Sequence, residues 1–421
     1  MEKVIDSINF AKRGCEDDAN LCEVVEVNSG ESSFDAVNAI LNANRFDIMY
    51  RKQLEQMCAS GTVGCYLRIV DADVMNDGTV KGGRIEINYC NAENIIPGTV
   101  VNDEIIECAF VGKNIVRGKD ETVLVSFKLD EQKNYIADTF IFTDEGERVD
   151  LRSSVQLGDV KPFCIMRTAQ VNNIKDMEGY GLPKLYSTIP VLKGLDLAYA
   201  ILMGDLDKGE KLMFINELLS CVGTDENGNK FLTKKQRELF VLLGEKLPEQ
   251  DTLVSEYNPQ LRIEEITKIF ETLLSLYSLM FGYGTKKYTF ENGQIKTATE
   301  YIGSRQDALQ ELNKQRAESV DYITSICQAI MWFSNTYEGT SFNTDNLEVN
   351  VEFDDSYVTD REAELERVRN DALTFDIPQL TIWYLMKAYN LDEAEATKMV
   401  IKDRENKDEE DKDDANFGED E

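Results

Sequence analysis

The stretch Gly282-Tyr283-Gly284-Thr285-Lys286-Lys287-Tyr288-Thr289-Phe290-Glu291-Asn292-Gly293, followed by Lys296-Thr297-Ala298-Thr299-Glu300-Tyr301, decides how this chain is read. A strongly apolar helical pattern ends just before it, and a long charged helical pattern begins just after it. Between two helices lies a short crossing that is basic, aromatic and glycine-rich. The chain carries 78 acids against 45 bases, a formal net charge of −33. In so acidic a protein, Lys286, Lys287 and Lys296 within one short crossing stand out. Lysines on a loop can touch a polyanion through a few phosphates, and such attraction is weak, salt-sensitive and blind to sequence. Tyr283 or Tyr288 is then expected to pack against the same polyanion. The plainer reading of the segment is a polar connection between helices.

The flanking patterns extend the reading outward. Ile263, Ile266, Phe270, Leu273, Tyr277 and Met280 recur at helical spacing over about 262–281. Upstream, Leu182, Leu185, Ile189, Leu192, Leu195, Ala198, Ile201 and Leu202 keep the same spacing to about Gly209, with Pro190 expected to kink that helix or reset its start. Between these two helices the pattern is mixed. Leu212–Ile215 and Phe240–Leu243 are strand-like, and 233–238 is helix-prone. Beyond the crossing, 304–334 is the longest helical pattern, with Ser304 as its expected cap, and a strand follows at Leu347–Phe353. Helical segments near 360–374, 378–389 and 392–404 lead to the tail. Residues 402–421 hold eleven acids and four bases and are expected to be disordered.

Toward the N-terminus, 33–60 reads as one helix, capped by Ser33 or Asp35 and ended by Gly61. Alternating runs then replace it. Val63–Val70, Arg84–Tyr89, Glu104–Val111, Thr122–Lys128 and Tyr135–Phe142 read as strands broken by Asn76-Asp77-Gly78, Gly82-Gly83 and Asp144-Glu145-Gly146. This region looks antiparallel and lacks the strand–helix alternation of a nucleotide-binding sheet.

Composition narrows the chemistry. There is no histidine, which removes histidine-dependent triads and imidazole metal ligands. The nine cysteines form no Cys-x-x-Cys pair and are expected as reduced core thiols. No apolar run approaches the ~20 residues that a membrane helix needs. Gly204-Asp205-Leu206-Asp207-Lys208-Gly209-Glu210-Lys211 fails as a phosphate loop, because Glu210 separates glycine from lysine and no Ser or Thr follows. Acidic pairs such as Asp17-Asp18, Glu264-Glu265 and Asp354-Asp355 are read as solvated faces. No enzyme is expected, and no cofactor.

Several stretches resemble, in the same order, the portal proteins of tailed phages of the SPP1-like class. They are Cys15-Glu16-Asp17-Asp18-Ala19-Asn20-Leu21; Asn42-Ala43-Asn44-Arg45-Phe46 with Gly61-Thr62-Val63-Gly64; and Glu86-Ile87-Asn88-Tyr89 with Ile95-Ile96-Pro97. Asn172-Asn173, Gly179-Tyr180-Gly181, Val191-Leu192-Lys193-Gly194-Leu195-Asp196-Leu197-Ala198-Tyr199 and Thr297-Ala298-Thr299-Glu300 continue the series. Asp18, where relatives often place an aromatic residue, and Pro190 depart from the family pattern. Relatives also carry a longer N-terminal segment, so a short or truncated form is expected.

The resemblance implies an α+β portal fold with an α/β wing, two-helix stem, small α/β clip, tunnel loop and helical crown. The wing, a helix plus antiparallel sheet, would span 1–182, the first stem helix 183–210 and the clip 211–262. The second stem helix would span 263–281, the tunnel loop 282–297, and the long helix and crown 298–401, before the acidic tail at 402–421. It also implies a ring, usually of twelve subunits, at one capsid vertex of a virion assembled in the bacterial cytoplasm. Double-stranded DNA would pass through it without sequence specificity. The implied partners are the terminase large subunit, major capsid and scaffold proteins and a head-completion adaptor, with no membrane. Tyr283, Lys286, Lys287, Tyr288 and Lys296 would face DNA. Leu192, Leu195, Ile201, Ile266, Phe270, Leu273 and Tyr277 would pack the stem between subunits. The competing expectation is an acidic capsid or scaffold component without a channel.

Overall fold

The structure is a computed structural model. It describes residues 7–29, 34–74, 80–116, 119–142, 148–209, 212–216, 223–224, 230–231, 240–243, 254–258, 260–284, 287–288, 298–342, 349–353, 361–375, 377–389, 391–392 and 394–402. The class is α+β, and the chain divides into two units, 1–351 and 352–421.

Three helices open the first unit: α1 (Phe10–Leu21), α2 (Phe34–Ala43) and α3 (Phe46–Ser60). The single helix expected over 33–60 is therefore two, and Ser33 lies outside the described residues. Asn44 and Arg45 make the break. Arg45 takes φ +55°, in the left-handed region. The Asn44 side chain behaves like a strand residue: its amide donates to the Ile85 carbonyl and its oxygen accepts from the Ile87 N–H, each at 2.9 Å. A helix continuing through Asn44 would forfeit this pairing with the sheet. As expected, Gly61 ends α3, with φ +84° and its N–H on the Met57 carbonyl. A Cβ there would lie 2.2 Å from the Gly181 carbonyl oxygen, so the chain crossing requires glycine.

The longer strands within 62–167 build two antiparallel sheets. Thr62–Val70 sits between Phe163–Arg167 and Arg84–Asn91, with Cys65 facing Cys164 on one side and Tyr89 on the other. Ile95–Val101, Glu104–Val116, Lys119–Leu129, Tyr135–Phe142 and Arg148–Gln156 form a five-stranded meander in chain order. Apolar positions of the two sheets meet in one core that contains Tyr66, Ile95, Cys108, Phe110, Phe127, Tyr135 and Phe163. Its aromatic rings lie 5.1–6.0 Å apart, mostly tilted or edge-on, the arrangement their quadrupoles favour.

Two helices follow, α4 (Ile189–Lys208) and α5 (Ile263–Met280). Pro190 occupies the first turn of α4, where its missing N–H costs nothing, so it starts the helix rather than kinking it. Between α4 and α5, Leu212–Asn216 pairs in parallel with Phe240–Leu243 and antiparallel with Val254–Tyr257. The helix expected at 233–238 lies outside the described residues.

The 36-residue helix α6 (Ala298–Phe333) closes the unit. Ser304 lies inside it and is not its cap. The helix widens into a π-turn, Ser334–Glu338, which stops at Gly339. Its buried side reaches the sheets through polar as well as apolar contacts. Tyr322 donates to Gln53 at 2.7 Å, and Gln53 donates to the Gly64 carbonyl at 2.8 Å. Gln315 accepts from the Ala169 N–H and donates to the Arg167 carbonyl.

The second unit contains α7 (Arg361–Phe375) and α8 (Pro378–Tyr389), which pack together, and a helical run over 394–402. Leu373, Phe375 and Tyr389 stay exposed. The acidic segment 403–421 lies outside the described residues.

Eight cysteines are free and buried, and Cys221 lies outside the described residues. Burial pushes the thiols of Cys22, Cys90, Cys108 and Cys327 up to about 12. An ordinary thiol gains about fivefold in thiolate between pH 7.5 and 8.5. With these four raised to about 12, their thiolate at pH 8.5 is on the order of a thousandfold scarcer than that of an ordinary thiol. In a colorimetric thiol assay these sites of the native chain should stay nearly unreactive at either pH, and all should react promptly once the chain is denatured.

Candidate functional site

The basic crossing after α5 is anchored by its tyrosines. Tyr283 is 3% exposed, and its hydroxyl donates to Asp18 Oδ1 at 2.8 Å. The same oxygen accepts from Lys184 Nζ at 2.7 Å, and Glu311 Oε1 on α6 lies 3.9 Å from that nitrogen. Five residues after Tyr283, the Tyr288 hydroxyl donates to Asp17 Oδ2 at 2.8 Å. Arg13, one turn earlier on α1, holds Asp17 Oδ1 at 2.9 Å. One buried polar node thus joins α1, the approach to α4, the loop after α5, and α6.

Aromatic packing encloses the node. The Tyr277 ring lies 5.5 Å from Tyr288 and 5.2 Å from Phe281, and Phe281 lies 5.4 Å from Tyr283. The Tyr277 hydroxyl donates to the Phe10 carbonyl. It passes so close to α1 that a Cβ on Gly14 would lie 2.0 Å from it, so glycine at 14 lets the loop anchor approach the helix.

Electrostatics fix the protonation states. Burial pushes the Tyr283 hydroxyl far up, and the Asp18 charge adds to the shift. Burial also raises Tyr288, as does its hydrogen bond to Asp17. Both therefore remain donors. For Lys184, burial opposes the charged ammonium, but attraction to Asp18, their hydrogen bond, Cys58 and Glu311 outweigh it, and the net shift is upward. Lys184 thus stabilises the fold fully below the ordinary lysine value of about 10.4, and that stabilisation is lost as pH rises through the folded value. It adds no pH dependence near neutrality.

These positions correct two expectations. Asp17 and Asp18 are not a solvated face: they are 7% and 6% exposed. The sequence did hold a signal, since Cys15, Asp18, Ala19 and Cys22 share one helical face and three of the four are small and apolar. Tyr283 and Tyr288 do not point outward toward a polyanion, because their hydroxyls are held by the chain's own carboxylates. Lys287 is half-buried, with Nζ 5.5 Å from the Tyr283 ring centroid. Lys286 and Lys296 lie outside the described residues. Lys184 was not anticipated from the sequence at all.

The second feature is the α4–α5 hairpin. A Cβ on Gly194 would touch Leu273, while Asp205 and Arg262 form a two-pronged ion pair at 2.7 and 3.0 Å, so the helices run antiparallel. Leu195, Ala198, Ile266, Phe270 and Leu274 form the buried seam, with Leu192, Leu202 and Leu273 against it. Six of the seven residues expected between subunits, Leu192, Leu195, Ile266, Phe270, Leu273 and Tyr277, therefore face inward within one chain. Only Ile201, 41% exposed, lies on the outer side. The regular apolar stripe is satisfied first by the neighbouring helix of the hairpin. What remains outside is a second apolar set: Leu197, Ile201, Met203 and Leu206 on α4, and Ile269, Leu276 and Leu279 on α5. An open depression of about 420 Å³ runs along Lys268, Glu271, Thr272, Ser275, Leu276 and Leu279.

Among the described residues no cluster of carboxylates and thiols could hold a metal ion, and no helix is long and apolar enough to cross a membrane.

No protein-family model matches this chain, and no curated protein matches it. Chains of solved gene transfer agent (GTA) particles do match. For a chain of the virion of the native particle, the TM-score is 0.43 at 13% identity, over 86% of this chain and 85% of that one. For the neck of the native particle, computed with C12 symmetry, it is 0.39 at 11%, over 85% and 84%. For the neck of the empty particle, computed with C6 symmetry, it is 0.41 at 12%, over 85% and 84%.

Replacing Lys184 with Met strands Asp18 in the core, at a cost of about 3–5 kcal/mol. Urea denaturation should show that loss. Lys193→Met, on the partly exposed surface of α4, should change stability by less than about 0.5 kcal/mol.

Proposed function

We propose that this chain is the portal subunit of a tailed phage or phage-like particle, forming a ring through which double-stranded DNA is packaged and later ejected. One observation carries the reading. An antiparallel hairpin of two helices, already packed on one side, keeps a second apolar surface outward, and it brackets a small mixed sheet. A monomer has no use for two apolar sides on a helix hairpin, whereas a closed ring buries the second side against the next copy. The lysine-bearing loop and the 36-residue helix follow in the order that stem, tunnel loop and long helix require.

The mechanism rests on charge and geometry. Copies of a chain of net charge −33 arranged around an axis make a passage that repels DNA on average and so does not hold it. Lys286, Lys287 and Lys296 offset that repulsion locally with contacts that are weak and independent of sequence. The small sheet at 212–257 is the proposed dock for a terminase and later for a head-completion adaptor, with capsid and scaffold proteins around the wing. The chain itself hydrolyses nothing and uses no cofactor.

Negative-stain microscopy of the purified full-length chain tests this reading. Rings of about twelve subunits with an open centre are expected. A monodisperse monomer at high concentration would overturn the proposal, and a closed assembly without a hole would favour an acidic capsid or scaffold component.

Leu197→Glu with Leu276→Glu should abolish rings while leaving a folded chain by circular dichroism. Each substitution places a charge where about 1.5–3 kcal/mol of apolar burial is otherwise gained. Lys286→Glu with Lys287→Glu should leave rings intact and lower packaged or retained DNA severalfold. Unchanged packaging and retention would remove the loop from the mechanism.

A further inference from the structure

Asp17 and Asp18 each carry two kinds of partner, and the difference between them matters. One partner is a cation that belongs to a fixed part of the fold: Arg13 on the same helix for Asp17, and Lys184 for Asp18. The other is a neutral tyrosine hydroxyl from the basic loop: Tyr288 for Asp17 and Tyr283 for Asp18. If the tyrosines withdraw, each carboxylate keeps its ion pair. A buried charge left alone would be costly, but a charge that loses only a neutral donor is not left alone.

The backbone around Tyr283 fits such a withdrawal. Gly282 and Gly284 both adopt positive φ, +89° and +72°, on either side of it. The Tyr283 N–H is held by the Ser278 carbonyl at 3.0 Å, and once that bond opens the two glycines leave the backbone on either side of Tyr283 free to adopt another conformation. The loop cation is coupled to the same residue, since Lys287 Nζ sits over the Tyr283 ring. A polyanion that draws Lys287 toward itself takes away part of what keeps Tyr283 seated.

We propose that Tyr283 and Tyr288 form a releasable latch: they seat the basic loop on the two α1 carboxylates, and Arg13 and Lys184 keep those carboxylates satisfied when the latch opens. The latch holds whether or not the chain is a portal. Its consequence, that DNA drawing on Lys287 shifts the loop between a seated and an extended position, rests on the channel reading.

The test uses the full-length chain with Tyr283→Phe and Tyr288→Phe, alone and together, which remove the hydroxyls and keep the rings. Cleavage at the Lys286-Lys287 pair by a lysine-specific endoprotease is followed by mass spectrometry. Each single variant should be cut there about tenfold faster, the factor expected from one hydrogen bond to a charged group, and the double variant about a hundredfold faster. Cleavage at Lys12 and Lys193, and hydrogen exchange of α4 and α5, should be unchanged. Lys184→Met is the contrasting variant and should speed cleavage throughout the chain. Should the packed rings alone hold the loop, Tyr283→Ala with Tyr288→Ala would speed local cleavage and the Phe pair would not. That result would overturn the hydroxyl latch, as would a uniform rise at all sites in the Phe variants. Ring counting by microscopy is a separate measurement, so failure of the latch and failure of the portal reading remain distinct.

Discussion

The ion pair between Lys184 and Asp18 holds together parts of the chain far apart in sequence. Both side chains are nearly inaccessible, at 2% and 7%, and 2.7 Å apart. Each charge would be prohibitive in that environment alone, so neither segment can leave without the other. Lys184 belongs to the segment entering α4, and Asp18 to the first helix. Because Asp18 also receives Tyr283, and Lys184 approaches Glu311, the pair fixes how the hairpin, the basic loop and the long helix meet. A hydrophobic pair could fill the same volume, but it would not bind a hydroxyl from the loop in one defined position.

The hairpin shows how one sequence signal can be right in kind and wrong in assignment. Both helices were legible from apolar spacing; α5 matches its expected bounds to one residue, whereas α4 starts at Ile189, six residues after the expected 183, because Pro190 sets its first turn. The spacing could not say which neighbour an apolar residue meets. In α5 the most regular positions meet the same chain: Ile266 and Phe270 pack in the seam with α4, and Tyr277 packs on α1, because these neighbours are always present at high effective concentration. A surface for another copy is left to the positions outside that stripe, Ile269, Leu276 and Leu279. The readable clue was two-sided apolarity, since a helix that buries one face in a monomer has no need of a second.

In the two sheets, the strands at Ile95–Val101, Arg148–Gln156 and Phe163–Arg167 were not read from alternation. The other five were legible from it, their starts within three residues, because antiparallel strands with one buried face impose a period of two. The break at Asn44 was not, since it depends on the side chain joining a strand more than forty residues away. Nor was Ser304 as an interior helix residue, because capping chemistry is local while the helix start is set by what precedes it. The polar node escaped for a related reason. In a chain with 78 acids, a pair of aspartates gives no hint of burial unless its helical face is read together with its neighbours. Lys184 gave no local signal at all, and only the tertiary structure supplies its partner.

Acidity and assembly pull against each other in the proposed ring, and their different ranges decide the outcome. Repulsion between exposed carboxylates on adjacent copies is screened beyond about 8 Å at physiological ionic strength. Apolar burial at the outer hairpin face is a contact effect that salt does not weaken. Burying Leu197, Ile201, Ile269, Leu276 and Leu279, already about half covered, at about 1.5–3 kcal/mol for a fully buried side chain, is worth on the order of 5 kcal/mol per interface before ordering costs. Acidic groups can therefore line a passage and keep DNA from adhering, provided the subunits are joined by a surface that depends little on charge. Leu197 and Ile201 on α4 and Ile269, Leu276 and Leu279 on α5 supply such contacts, and the Asp205–Arg262 pair neutralises its own charges at one end of the hairpin within one chain. Attraction between copies and repulsion of DNA thus rest on different residues, so one can be strong without weakening the other.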